Sequence, residues 1–206
     1  MQAIEHFSME CSAFFEKLST GGQKPLVFGD GLAQSPVLML IGEAPGEQET
    51  LQGKPFVGKA GKNLDEFLEA LHLRREEIYI SNVVKLRPTK VSAAGRTVNR
   101  PPSLEEKTLF TPWLMREIAT VKPAALVTLG NVALQAFIKD SIGHVHGTWN
   151  RAVIAPPSDA AFTLPLFALY HPASVIYNRA LRDTYLADLF TLADSLRVKS
   201  NIPSDI

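Results

Sequence analysis

Cysteine is almost missing from this chain: Cys11 is the only one among 206 residues. One thiol excludes an internal disulfide and any zinc site or cluster held mainly by thiolates, and it suits a reducing compartment. An excess of one charge is missing too, since 21 basic residues balance 21 acidic ones. The field of the whole molecule therefore does not advertise a nucleic-acid partner, and any such surface has to be local. No run approaches the roughly 18 apolar residues of a membrane span. Met1 to Glu10 also lacks the basic region and apolar stretch of a signal peptide. The expectation is a soluble cytoplasmic protein with no membrane partner.

What is present is ordinary globular material, 46% hydrophobic and 20% charged, with no internal repeat or low-complexity stretch. The length suits one sizeable core, so residues 1–206 are expected to form a single domain that needs no oligomerisation and works as a monomer. Ile4, Phe7, Cys11, Phe14, Phe15 and Leu18 recur at helical spacing before Gly21-Gly22. Val37 to Ile41 is a short continuous apolar run, the form of a strand covered on both faces. Leu64, Phe67, Leu68 and Leu71 mark a helix, and Ile78 to Ile80 a second strand ending at Ser81-Asn82. Ala125 to Leu129 and Leu166 to Tyr170 read as two more strands. A helix follows the first of these, and another, from Arg179 to Leu196, closes the chain. Ser103 and Glu106 have capping-box spacing, and Pro112 is expected to kink or divide the helix they start. Strands alternating with helices predict a three-layer α/β/α sandwich around a central four-stranded parallel sheet.

Each predicted strand is followed by a distinctive segment: Gly42-Glu43-Ala44-Pro45-Gly46, Ser81-Asn82, Gly130-Asn131 and His171-Pro172-Ala173. In open parallel sheets ligands bind beyond the carboxyl ends of the strands, so the four segments are expected to converge on one cleft. Turns alone account for Gly, Asn and Pro at strand ends, but a turn demands neither the acid of the first segment nor the imidazole of the last. Gly42 to Gly46 does not have the spacing of a phosphate-cradling loop, and Gly58-Lys59-Ala60-Gly61-Lys62 lacks that of a dinucleotide fingerprint. His6, His72, His144 and His146 form no metal-ligand pattern with His171, which argues against a metal hydrolase. Lys85, Arg87, Lys90, Arg96 and Arg100 stand in a stretch without an acid, read as a mobile basic loop with a flexible tip at Ala93-Ala94-Gly95.

The ordered set of motifs resembles the uracil-DNA glycosylase superfamily, nearest the branch called family 4. The resemblance rests on Leu26 to Gly31, Gly42 to Gly46, Gly53 to Gly61, Tyr79 to Lys85, Arg87-Pro88, Asn99-Arg100, Leu129-Gly130 and His171 to Ala173, in family order along most of the chain. It implies an enzyme that flips uracil out of DNA and hydrolyses its N-glycosidic bond, with uracil-containing DNA as partner. Gly42, Ala44, Phe56 and Asn82 would then form the uracil pocket, Phe56 stacking on the base and Asn82 reading its amide edge. His171 would donate to uracil O2, and Glu43 would orient water or stabilise the cationic sugar. Lys85, Arg87, Asn99, Arg100 and Ala173 would meet the DNA backbone, with Val175 and Ile176 as the wedge that fills the vacated space. Such roles suit the chemistry, because an extruded base needs an aromatic face and an edge reader, and a leaving anion needs a preorganised donor. Plainer roles stay open: a core aromatic for Phe56, a cap or turn for Asn82, a solvated face for the basic run, and solvated loop positions for Glu47, Gln48 and Glu49.

The sequence departs from the family in two places. The four cysteines of the iron–sulfur branch align with Phe14, Lys17, Leu86 and approximately Phe110, so neither a cluster nor another cofactor or metal is expected. The family arginine near the wedge aligns with Tyr177. The extended Lys90–Asn99 loop resembles that of a relative that traps uracil through a histidine; Asn99 stands there, and an amide is a poor nucleophile, so ordinary turnover is expected. Removal of hypoxanthine or xanthine, or a base sensor without turnover, are the alternative readings.

Overall fold

In the computed structural model the described residues are 3–18 and 24–197, without the side chains of Ile176 and Tyr177. Gly21-Gly22, expected to end the first helix, lies outside them. The chain runs α1 (Ala3–Leu18), β1 (Asp30–Gly31), β2 (Leu38–Gly42), α2 (Glu47–Gln52), α3 (Lys59–Ala70), β3 (Tyr79–Asn82), then the hairpin strands β4 (Thr89–Val91) and β5 (Thr97–Asn99). It continues with α4 (Leu104–Val121), β6 (Ala125–Leu129), α5 (Asn131–Gln135), α6 (Ile142–Val145), β7 (Trp149–Ile154), β8 (Phe162–Leu169), α7 (Pro172–Tyr177) and α8 (Arg182–Arg197).

One six-stranded sheet, in the order β1-β3-β2-β6-β8-β7, organises the molecule. Its four central strands are parallel, as the sequence predicts. Two antiparallel edges are added: β1 on β3, and β7 on β8. The second lies in the stretch around His144 to Pro157, which reads as irregular in the sequence because Trp149 to Ile154 buries only Ala152 and Ile154 and carries no continuous apolar run.

Period-two alternation assigns the two faces. Met39 and Ile41 join Tyr79, Leu126 and Ala168 in a core with Cys11 and Phe15 of α1, Phe110, Leu114 and Ile118 of α4, and Leu134 of α5. Leu38 and Leu40 join Ile80, Val127, Phe167 and Leu169 in a second core with Leu64, Phe67 and Leu68 of α3 and Tyr185, Leu189 and Leu192 of α8. Helices thus cover both faces, giving the expected α/β/α layers.

The capping box forms as predicted: Glu106 N–H donates to Ser103 Oγ (3.1 Å) and Ser103 N–H to Glu106 Oε2 (2.7 Å). Pro112, in contrast, does not divide α4, which runs through it from Leu104 to Val121. Buried Phe110 on one side of the proline and Leu114, Met115 and Ile118 on the other anchor a single helix, and that packing outweighs the lost backbone bond. The 85–100 stretch is likewise not an irregular loop but carries a hairpin. β4 and β5 pair from Thr89–Asn99 to Val91–Thr97, and Gly95 closes the turn at φ +72° with its N–H on Ser92 O (2.9 Å).

The positions that resemblance aligns with cluster cysteines do not fit such a group. Phe14, Lys17, Leu86 and Phe110 offer no thiolate, and an aromatic assembly fills the space between α1 and α4. Phe15 stacks on Phe110 with centroids 4.2 Å apart, and Phe14 packs on Trp113 at 5.3 Å. Burial pushes the Cys11 thiol up to about 12, so it holds its proton. Among the described residues no group of three or more His, Cys, Asp or Glu is placed to hold a metal, and no helix is long and apolar enough to cross a membrane.

Candidate active site

The ends of the four parallel strands meet. Gly42 ends β2 directly opposite Asn82 at the end of β3. The pairing then runs on past both strands, Val83 N–H donating to Gly42 O (2.9 Å) and Val84 N–H to Glu43 O (3.1 Å). Gly42 has the parity of Leu38 and Leu40, so its missing side chain faces the second core, where Phe56 lies. A methyl group added at Gly42 would stand 2.5 Å from both Asn82 Oδ1 and Phe56 Cζ. Absence of a side chain there is what lets amide and ring share one small space.

His171 enters from the opposite side. Gly130, after β6, takes φ +86° and donates its N–H to Leu169 O (2.8 Å); a Cβ on it would lie 3.1 Å from His171 Cβ. The His171 ring lies 6.0 Å from the Phe56 ring, at 25° to it. Asn63 of α3 donates to Pro172 O (3.1 Å) and ties this segment down.

Electrostatics fix the state of the imidazole. Burial pushes it down to about 4, so it is neutral at pH 7. Ala173 N–H donates to Nδ1 (3.1 Å), which makes Nδ1 the acceptor and leaves the proton on Nε2. The Asn82 amide is almost sealed from solvent yet makes no side-chain hydrogen bond among the described residues. The amide is left facing the cleft, beside an aromatic ring and a neutral donor. Burial also pushes the half-buried Glu43 carboxyl above the usual range, opposed by the charge of Lys107 on α4.

Two loops carry Glu43 and Phe56, and one residue binds them together. Glu49 is buried, and its carboxylate accepts three backbone N–H groups: Gly46 (3.1 Å), Val57 (3.1 Å) and Gly58 (2.7 Å). The sequence reading left Glu49 as a solvated loop position. The Gly46-x-x-Glu49 spacing at the start of α2 was the available signal, being that of a capping box. The Gly46 N–H at the end of this turn is therefore committed to a carboxylate.

Of the residues expected on DNA, Lys85 is corrected outright. It is fully buried, with Nζ on Glu117 Oε2 (2.5 Å), Ser81 Oγ (2.7 Å) and Asn82 O (2.6 Å). Tyr79 donates to the same carboxylate (3.1 Å), its phenol kept protonated first by burial and then by the Glu117 charge. An ammonium facing α4 within the sheet cannot meet a phosphate. Arg87 stands near the surface but is engaged by Asn99 Oδ1 (2.7 Å) and Glu47 (3.2 Å), and Arg100 by both oxygens of Glu106 (2.6 and 2.8 Å). Ala173 has its N–H on His171, and Val175 packs partly buried against the second core, not as a free apolar tip. The side chain of Ile176, the other wedge residue, lies outside the described residues. Gly42, Glu43, Ala44, Phe56, Asn82 and His171 therefore belong to the strand-end cluster and its loop. Lys85 belongs to the core, while Arg87, Asn99 and Arg100 root the hairpin beside it. A cavity of about 1260 Å³ touches Phe56 but includes none of Gly42, Asn82 or His171.

Comparison with known proteins identifies the family. Residues 28–191 match the family model of the uracil DNA glycosylase superfamily. A type-4 uracil-DNA glycosylase of Saccharolobus solfataricus is 35% identical over 187 residues, 86% of this chain and 79% of its own. Those of Archaeoglobus fulgidus (36%, covering 73% and 72%) and Thermotoga maritima (35%, covering 80% and 79%) are similar. On the length of the match and on these identities, the chain belongs to the uracil DNA glycosylase superfamily.

Proposed function

We propose that this protein excises uracil from DNA by hydrolysing the N-glycosidic bond, leaving an abasic site for base excision repair. The observation that carries the reading is the open, nearly buried Asn82 amide beside Phe56 and across from a neutral His171. Oδ1 and Nδ2 present an acceptor and a donor, the complement of a uracil N3–H and O4. Phe56 supplies a face that recovers part of the few kcal/mol spent in unstacking the base. As the glycosidic bond lengthens, negative charge collects on uracil O2, and Nε2–H of His171 donates to it. A neutral donor in a dry pocket is worth on the order of a few kcal/mol there. Glu43, whose carboxyl makes no protein hydrogen bond among the described residues, holds the attacking water or balances the cationic sugar once ionised. The reading needs no metal or cofactor. Residues 1–206 act as one domain and as a monomer in the cytoplasm, with Arg87, Asn99 and Arg100 turned to the DNA.

The test is incubation of the purified protein with single- and double-stranded oligonucleotides carrying one uracil, hypoxanthine or xanthine, beside a His171→Ala control. Free base and alkali-labile sites are assayed. Uracil release that depends on His171 supports the reading; release of another base alone, or DNA binding without any release, overturns it.

A further inference from the structure

Phe56 holds a backbone conformation that a phenylalanine does not choose. Its φ is +53°, in the left-handed region that costs a residue with a Cβ on the order of 1 kcal/mol or more. Such a conformation persists only where the surroundings over-determine it, and here the peptide linking Phe56 to Val57 is gripped at both ends. Its N–H donates to Glu49. Its carbonyl accepts from Nη2 of Arg75, whose Nη1 reaches Pro55 O at 3.5 Å. Arg75 comes from the turn before β3 and is itself aimed by Asp65 of α3, which accepts from Nε at 2.9 Å. Gly61 makes room for the arrangement: a Cβ there would lie 2.0 Å from Phe56 O and 3.5 Å from Nη2.

We propose that Arg75 is a positioning residue for base binding: its guanidinium holds the Phe56 carbonyl and thereby keeps the ring in place beside Gly42 and Asn82. The inference rests on the uracil-excision reading and adds to it a residue remote from the reacting atoms. Arg75 touches neither Gly42, Asn82 nor His171, and its side chain is 29% exposed, so its replacement leaves the core intact. Without the clamp Phe56 relaxes to negative φ, and the ring leaves the pocket floor. Stacking acts on the base before and during bond cleavage, so the loss falls on binding more than on the chemical step.

The experiment compares wild type, Arg75→Lys, Arg75→Ala, Phe56→Ala and the Arg75→Ala/Phe56→Ala pair. KM and kcat are measured on a single-stranded uracil oligonucleotide, together with inhibition by free uracil. Arg75→Ala is expected to raise KM and the uracil inhibition constant about tenfold, the loss of roughly one stacked base, with kcat changing much less. Arg75→Lys, which keeps one donor, falls between. In the Phe56→Ala background the arginine substitution adds nothing, because the two act through one contact. Unchanged KM and uracil inhibition in Arg75→Ala, or additive losses in the pair, overturn the proposal. Limited chymotrypsin digestion adds a readout independent of catalysis: cleavage after Phe56 speeds up in Arg75→Ala if the clamp exists, and an unchanged rate overturns it. A wild type that releases no base refutes the excision reading while the digestion still decides the clamp.

Discussion

The Lys85 ammonium stands 2.5 Å from Glu117 Oε2, and neither side chain has any solvent exposure. Between them they satisfy Ser81 Oγ, Tyr79 Oη and the carbonyl of Asn82, which ties the end of β3 to α4. Breaking such a pair from one side strands a charge in the core. Glu117→Ala is expected to lower stability by about 3–5 kcal/mol, seen as a large fall in the urea midpoint. Replacing both partners, as Lys85→Met/Glu117→Leu, removes both buried charges and should recover much of that loss.

Stability should fall in mild acid on account of His171. Its folded-state value of about 4 lies below the ordinary 6.5, so between these pH values the unfolded chain binds the proton and the folded chain does not. The contribution is fully present above pH 6.5 and is lost as pH falls toward 4, amounting to at most roughly 3 kcal/mol. Thermal melts from pH 8 to 4 should show a decline that is shallower in His171→Gln. Equal slopes in the two proteins would contradict the assigned burial.

Activity carries a separate acid limb. Burial raises the Glu43 carboxyl above the usual range, so a rate that needs the carboxylate drops as pH falls through that raised value. kcat should therefore decline at a higher pH than an exposed glutamate would give. Glu43→Gln should flatten the limb and cost on the order of 10²-fold in kcat at pH 8. A pH–rate profile of the variant that keeps the wild-type limb assigns it elsewhere.

Gly42 tolerates no side chain, since a methyl group would meet Asn82 Oδ1 and Phe56 Cζ at 2.5 Å. Overpacking of that kind typically costs about 1–3 kcal/mol, and here the groups displaced are the two proposed to hold the base. Gly42→Ala should lower kcat/KM for uracil DNA at least about 10²-fold while the protein still melts cooperatively. Near wild-type turnover would show that amide and ring do not need to share that space.

Glu47 masks a cation. It engages Arg87 at 3.2 Å and is 61% exposed, so Glu47→Gln should release the guanidinium toward phosphate at little structural cost. DNA affinity at low salt is expected to rise by about two- to threefold, with a steeper salt dependence of binding. Fluorescence anisotropy across a salt series checks both.

The legible part of this protein was set by local pattern. Continuous apolar runs marked the four parallel strands because each is covered on both faces, and Ser103 with Glu106 marked α4 because capping is a matter of a few neighbouring atoms. Strand ends in such a sheet gather on one side, so Gly42, Asn82, Gly130 and His171 were recoverable as a group. What lay outside local pattern needed the fold. Lys85 read as a phosphate contact because charge is visible in a sequence and burial is not; only packing against Glu117, 32 positions away, made it a core residue. Pro112 lies within a helix because the flanking core side chains outweigh one missing bond. The edge strand β7 carries no apolar run to mark it because only Ala152 and Ile154 of its positions are buried. Above all, the sequence by itself determined that an amide and an imidazole stand at strand ends and that an aromatic stands in the loop before α3. The tertiary structure decided their working state: Arg75 and Glu49 arrive from distant segments to grip the Phe56–Val57 peptide, and burial leaves His171 neutral with its proton on Nε2. Such long-range contacts and desolvation are properties of the packed chain, and no short window of residues contains them.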